Sequence, residues 1–467
     1  NIQVVMNIIA SLPPPPSIEV TGFVRDFKSP FFRRYKMHFS QNGESRAANI
    51  GLYHSSVAVL LYHRERRQFL VVRQFRPAIF ASLVLRLPEN AGKRAEEIGW
   101  NSYNRELGCT LELCAGLVDK SKDLKEIARE EMEEECGYSL PSEHIHHIAT
   151  YRVSDTPQHL FYAEIDDSCR VSDGGGNASE GECIEKIWLR EDEACNIRYS
   201  KHQCCPPGFR YAFAWWFDRA DSARPGELPK EIWPISSDPF PSKALKMDNI
   251  HFEDAAIDCG DCNVLRMKYT INGIARAWDM DLKRDVLAVL LYSQERDGFL
   301  LTQRFCPGAL VEWTRHHSGH VVGGARDQST DLAALPWDTV APERAYTLEV
   351  CSETIDNRDE TPAITDDLAP MVVDCVAKGV GYRISPDTVA KICATPIGIG
   401  SGGEWLHAYF AEIRADQKME KFEESEDRKP ALISRESAKR LLLAPSPPSR
   451  PVLLYMLRWF FNNQPSQ

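Results

Sequence analysis

The chain has 467 residues, 26% of them charged and 43% hydrophobic, which is enough for two or three domains with sizeable cores. A formal net charge of -12 and a pI near 5.6 argue against nucleic acid or an anionic membrane surface as a partner. No apolar run reaches the roughly 18 residues of a membrane-spanning helix, and fourteen cysteines at irregular spacing are too sparse for a disulfide framework, which fits a reducing cytosol.

The opening NIQVVMNIIASLPPPP has no initiator Met. Met6 is a candidate start, and the short apolar part, with no basic region before it, does not read as a signal peptide. Residues 57–62 and 69–75 are runs of aliphatic and aromatic residues around a charged turn and are expected to form a strand pair.

The stretch CAGLVDKSKDLKEIAREEMEEECGY at 114–138 organises the first half of the chain. Asp123 with Glu126 three residues on makes a capping box, and Gly137 supplies a left-handed stop, so a helix is expected over 124–136. Spaced 100° apart, Leu124, Ile127, Ala128 and Met132 share an apolar side. Glu131, Glu134 and Glu135, at i, i+3, i+4, continue that inward stripe into the last turn, whereas Glu126, Glu130 and Glu133 point to solvent. At about 5–6 Å and an effective dielectric of roughly 20, each inward pair repels by roughly 3 kcal/mol. A hard divalent cation offsets that cost better than raised pKa values do, and Mg²⁺ commonly brings substrate phosphates with it.

The remaining signals are structural. Residues 160–165 and 182–189 read as strands, and a helix is expected near 211–217. The lone CxxC of Cys259 and Cys262 and the histidines at 144, 146 and 147 lack zinc spacing. Residues 224–243 hold five prolines among polar residues, the composition of an exposed linker.

Past the linker the chain repeats itself. At an offset of 230, residues 37–77 reappear as 267–307: SQNGESRA against TINGIARA, and VLLYHRERRQFLVVRQFRP against VLLYSQERDGFLLTQRFCP. Further on TLELCAGLVD matches TLEVCSETID, and GYSLPSEHI matches GYRISPDTV. The expected organisation is a first domain at 18–222, a linker at 223–245 and a second copy at 246–463, each an α+β sandwich with a mixed sheet. The second copy keeps the apolar helix stripe at Leu368, Met371, Val372 and Val376 but has Cys375, Lys378 and Gly379 in place of the three glutamates, and Glu353 in place of Gly116. Arg73 and Arg76, candidates for bidentate phosphate binding, become Gln303 and Cys306. The GIGSGG run at 398–403 matches GxGxxG by letters only and is expected to be a loop.

The 114–138 stretch resembles the Nudix box, Gly-x5-Glu-x7-Arg-Glu-U-x-Glu-Glu-x-Gly-U with U aliphatic, with Gly116, Glu131, Glu134, Glu135 and Gly137 on its positions. Lys122 and Glu130 stand where the box has Glu and Arg, as a pair with its charges exchanged. SPFFRRYKMHFSQNG, VAVLLYHRERRQFLVVRQFRPAIF, LELCAGLVDK and EECGY extend the resemblance, over about residues 29–217, to the uridine diphosphate glucose pyrophosphatase branch of the Nudix hydrolases. The resemblance implies a Nudix α/β/α fold in two tandem copies, the second without catalysis. It also implies Mg²⁺ or Mn²⁺ held by Glu131, Glu134, Glu135 and the Gly116 carbonyl. Within GGGNASEGE at 174–182, Glu180 and Glu182 are the candidate bases on a loop hinged by three glycines.

The expected activity is hydrolysis of a nucleoside diphosphate sugar, uridine diphosphate glucose foremost, with adenosine diphosphate ribose as the alternative substrate. A catalytically silent nucleotide-binding or scaffold protein is the alternative class. Because the resembled branch works as homodimers, the two copies are expected to pair within one chain.

Overall fold

The computed structural model describes residues 18–24, 33–41, 44–153, 156–177, 182, 184–198, 200, 204–220, 247–254, 263–271, 274–317, 332, 335–337, 345–355, 368–423 and 428–463. The proline-rich segment, the Cys259 and Cys262 pair and Glu180 lie outside them. In chain order the first half runs β1 (Ile18–Val24), β2 (Arg33–Gln41), β3 (Glu44–Leu52), β4 (Ser56–His63), β5 (Gln68–Phe75), α1 (Pro77–Leu85), β6 (Cys109–Glu112), β7 (Cys114–Leu117), α2 (Leu124–Glu131), β8 (Ile145–Val153), β9 (Thr156–Ile165), β10 (Glu185–Arg190), α3 (Glu191–Arg198) and α4 (Pro207–Ala220). The second half runs β11 (Met247–Asp254), β12 (Asn263–Ile271), β13 (Ile274–Leu282), β14 (Val286–Ser293), β15 (Gly298–Phe305), α5 (Pro307–His317), β16 (Tyr346–Glu349), β17 (Cys351–Thr354), α6 (Ala369–Val380), β18 (Val389–Pro396), β19 (Trp405–Glu412), β20 (Arg428–Ser434), α7 (Arg435–Leu443) and α8 (Pro451–Asn463).

Each half builds the same mixed sheet. The first has the order β10-β5-β4-β9-β8, with β6 on β5 and β7 on β4. The second has β16-β15-β14-β19-β18, with β17 on β14 and β20 on β15. In both, one central pair is parallel, β4 with β9 and β14 with β19, in the same register: Val57 opposes His159 and Leu287 opposes His407. The residues of β4 and β5 are buried almost without alternation, because helices cover both sheet faces. Val57, Val59, Leu61 and Val72 pack under Ile127 and Ala128 of α2 and Met132 just after it. Ala58, Leu60, Phe69 and Val71 on the other face meet Phe209 and Phe213 of α4, in a core that continues into Leu453, Leu457 and Phe460 of α8.

The two halves are tied together at several places. Each half's first strand pairs with the other half's second: β1 lies antiparallel to β12, Ile18 opposite Ile271, and β11 to β2, Met247 opposite Gln41. Helices α4 and α8 pack across the shared core, with Arg458 bound to Asp218. Arg86, just after α1, donates to both carboxylate oxygens of Asp285 at 2.8 and 2.6 Å. Lys283 lies 5.6 Å over the ring of Tyr53. Tyr53 and Lys283 stand at the offset of the repeat, 230 residues apart.

The organising helix departs from expectation in two details. The capping box does not form: Asp123 caps by accepting from the Lys125 N–H at 2.9 Å, while Glu126 is drawn away to Ser142 and Arg129. The last turn, Met132–Cys136, is a wider π turn ending on Gly137 at φ 81°. The wider turn separates two glutamates that 100° spacing put together, leaving Glu135 buried and Glu134 exposed. Among the described residues no helix is long and apolar enough to cross a membrane.

Candidate active site

Between the two sheets lies a cavity of about 1340 Å³ lined by both halves of the chain. Gly116 of β7, Glu131 of α2, Glu134 and Glu135 of the π turn, Arg76, Glu112 and Glu182 form one wall of it. The close approach of β7 to α2 depends on Gly116, since a Cβ there would fall 2.0 Å from Cδ of Glu131. Glu135, 2% exposed, accepts from the Ala115 N–H at 2.9 Å, and burial raises its carboxyl well above the usual range against that hydrogen bond. Burial, then repulsion from Glu134 and Glu182, pushes Glu131 up to about 7.

That repulsion is a sign of uncompensated negative charge on one wall, and the donor atoms are carboxylate oxygens, the set that hard divalent cations prefer. The residues present fit such an ion. Among the described residues no three His, Cys, Asp or Glu side chains are already drawn around a single point, so the carboxylates line a wall and do not close into a cage.

The remaining sequence candidates separate. Arg76 stands on the cavity wall, its guanidinium clamped by Glu112 through Nε and Nη2 at 2.7 and 2.6 Å. Arg73 is the other expected phosphate ligand, but its side chain is 3% exposed. Its Nη1 donates to Glu185 at 2.9 Å and its Nη2 to Glu106 at 2.6 and 2.5 Å. Side chains alternate along a strand, so Arg73, three residues before Arg76 and inside β5, serves the sheet edge instead of the cavity. Glu182 reaches the wall, its Oε2 accepting from the Asn177 N–H at 3.0 Å. Lys122 bonds Glu130, which Lys120 also reaches at 3.2 Å, so the two exchanged box positions do pair.

Sequence reasoning missed Glu112, the orienter of Arg76, whose own signal was the match of TLEL with TLEV. It also missed what the second half contributes to the cavity: Tyr269, Trp278, Asp281, Lys283 and Glu404. The second half's equivalent wall has been rebuilt. Lys378 lies 3.9 Å from Glu353, a cation and a carboxylate where the first half gathers carboxylates. Cys375 sits 3.9 Å, sulfur to sulfur, from Cys351. Glu349, in the place of Glu112, faces Arg450 at 3.6 Å and Arg304 at 3.8 Å in the absence of a counterpart to Arg76.

The chain matches no protein-family model. It is similar to the uridine diphosphate glucose pyrophosphatase of Bos taurus, 34% identical over 209 residues that make up 43% of this chain and 94% of the relative. The Mus musculus protein of the same name is 34% identical over 200 residues, 41% of this chain and 90% of the relative. A GDP-mannose pyrophosphatase of Cronobacter sakazakii is 34% identical over 143 residues, 30% of this chain and 62% of that protein.

Proposed function

The chain belongs to the Nudix hydrolase family, and we propose that it splits the diphosphate bridge of a nucleoside diphosphate sugar into a nucleoside monophosphate and a sugar 1-phosphate. Uridine diphosphate glucose is the leading substrate, after the relatives' names. The observation that carries this reading is the meeting of Gly116, Glu131, Glu134, Glu135, Glu182 and Arg76 on one wall of a cavity large enough for such a molecule.

Glu131, Glu134 and Glu135, with the Gly116 carbonyl, are the residues that would hold Mg²⁺ or Mn²⁺. Such an ion supplies positive charge to the two phosphates and lowers the pKa of water. Arg76 offers its charge to a phosphate oxygen while Glu112 holds the guanidinium plane. Glu182, close enough to Glu131 to repel it, is assigned the proton of the attacking water. The second copy has Lys378 and Glu353 in the metal position and is read as catalytically silent. The strand pairs β1 with β12 and β11 with β2 support a chain that acts as its own dimer. The described cysteines stand as thiols, in keeping with a cytosolic protein.

The full chain is to be incubated with a panel of nucleoside diphosphate sugars and adenosine diphosphate ribose, with and without Mg²⁺ or Mn²⁺, and the products resolved. Uridine monophosphate and glucose 1-phosphate are expected only with metal. Glu134→Gln is expected to lose about 100-fold or more in rate at saturating metal with the thermal midpoint kept; a variant retaining more than about a tenth of the rate takes this helix out of the mechanism.

A further inference from the structure

The wall that carries carboxylates in the first copy carries cations in the second. Arg304 stands on β15 where β5 has Gln74, and Glu349 stands on the neighbouring β16 where β6 has Glu112. Arg428 opens β20 and pairs with Arg304; its counterpart is Ile184, the residue before β10. Arg450 precedes Pro451 of α8 as Pro206 precedes Pro207 of α4. Lys378 replaces Glu134. Four cations therefore stand where the first copy has Gln, Ile, Pro and Glu.

These cations are held loosely. Glu349 lies 3.6 Å from Arg450 and 3.8 Å from Arg304, so two arginines share one carboxylate at more than hydrogen-bond length. Lys378 is 3.9 Å from Glu353. Residues directly opposite on antiparallel strands share a face, so Arg304 and Arg428 stand side by side, and like charges so placed repel. Arg428 is fixed at one end, donating to the Ser352 carbonyl at 2.8 Å. Ser352 and Thr354 bring hydroxyls to β17 where β7 has Ala115 and Leu117, and with Glu349 and Arg450 they line the cavity. Positive charge and donors have thus taken the place of oxygen ligands. The side chains of Arg304 and Arg450 are each 38% exposed, within reach of a ligand.

We propose that the second copy binds a phosphate monoester without a metal, through Arg304, Arg428, Arg450 and Lys378 with the hydroxyls of Ser352 and Thr354. Guanidinium forks match phosphate oxygens two at a time, and a terminal phosphate concentrates about two negative charges on one group. A diphosphate bridge spreads its charge over two phosphates and is handled with a cation, for which this wall has lost the carboxylates. Glu349 sets Arg304 and Arg450 on one side, as Glu112 sets Arg76 in the first copy. The site does not depend on hydrolysis in the first copy, and it gives the second a ligand of its own.

The test is calorimetric titration of the full chain in EDTA with uridine monophosphate, glucose 1-phosphate and inorganic phosphate. Binding at a single site is expected, weakened by added salt. Arg304→Gln installs the residue that the first copy has at that place and is expected to weaken binding about tenfold or more, as is Arg450→Gln. Arg304→Lys keeps the charge, loses the fork and is expected to fall between. Arg76→Gln, in the first copy, is expected to leave metal-free binding within about twofold. A monoester that binds more tightly than inorganic phosphate shows that the rest of that ligand is read as well, and equal affinities confine recognition to the phosphate group; both uphold the site. Absence of metal-free binding overturns the proposal. So does binding that Arg76→Gln weakens as much as the second-copy variants do, or that those variants, folded by their thermal midpoints, leave unchanged. None of these readouts involves turnover, so a chain that hydrolyses nothing refutes the pyrophosphatase reading and leaves the site standing.

Discussion

Lys122 and Glu130 show how a charge pair can be kept while its signs are exchanged. The side chains are 47% and 25% exposed, so the pair belongs to the class worth a few tenths of a kcal/mol to about 1 kcal/mol. A double-mutant cycle on Lys122→Ala and Glu130→Ala is expected to give about 0.5 kcal/mol of coupling in thermal unfolding. Lys120, 3.2 Å from the same carboxylate, takes over part of the bond in the Lys122 variant and keeps the value small. Coupling indistinguishable from zero leaves the pair without energetic content. Gly116 is under a harder constraint, because the Glu131 carboxylate fills the space of its missing side chain. Gly116→Ala is expected to cost about 10-fold or more in metal affinity, by the measure of a misplaced ligand, and wild-type-like metal titration sinks that expectation.

At the scale of an element, α2 and α6 are the same helix with different ends. Both bury an apolar stripe against the central strand pair, Ile127 and Met132 in one, Val372 and Val376 in the other, and both stop on a left-handed glycine, Gly137 and Gly381. Only α2 widens into a π turn, where its clustered glutamates sit; α6 is regular through Val380. Putting one carboxylate back is therefore not enough. Lys378→Glu in the Glu134→Gln chain is expected to restore no hydrolysis, because Cys375 and Gly379 still supply no oxygen ligand and Glu353 then faces a like charge. Recovery of activity in that double variant shows the second helix to be closer to function than its sequence implies.

For the whole molecule, the two halves exchange strands and share one apolar core. Removing the second takes β11 from the edge of β2, α8 from the common core and Asp285 from Arg86. Multi-angle light scattering is expected to find the full chain monomeric, and a fragment of residues 18–222 either aggregated or homodimeric through the surfaces so exposed. A full-length dimer together with a stable, fully active monomeric fragment contradicts the proposed internal pairing.

The strand and helix order and the grouping of Glu131, Glu134 and Glu135 could be read from the residues alone, because those signals are local: turn residues, periodicity and spacing within a single helix; the repeat showed as self-similarity at a fixed offset, and Gly116 was added by the resemblance. Local signals could not separate Arg76 from Arg73, three residues apart, since which face of β5 meets a cavity depends on what covers the sheet. Nor could they place Glu404 and Asp281, charged residues with no motif of their own, on the cavity wall, or show that the glycine run packs against α1. Their burial near the helix that begins after Arg76 depends on the crossing of β1 onto β12 and β11 onto β2, a pairing between segments more than 200 residues apart. Such long-range contacts are fixed by the complementarity of two finished surfaces, which exists only once both copies have folded.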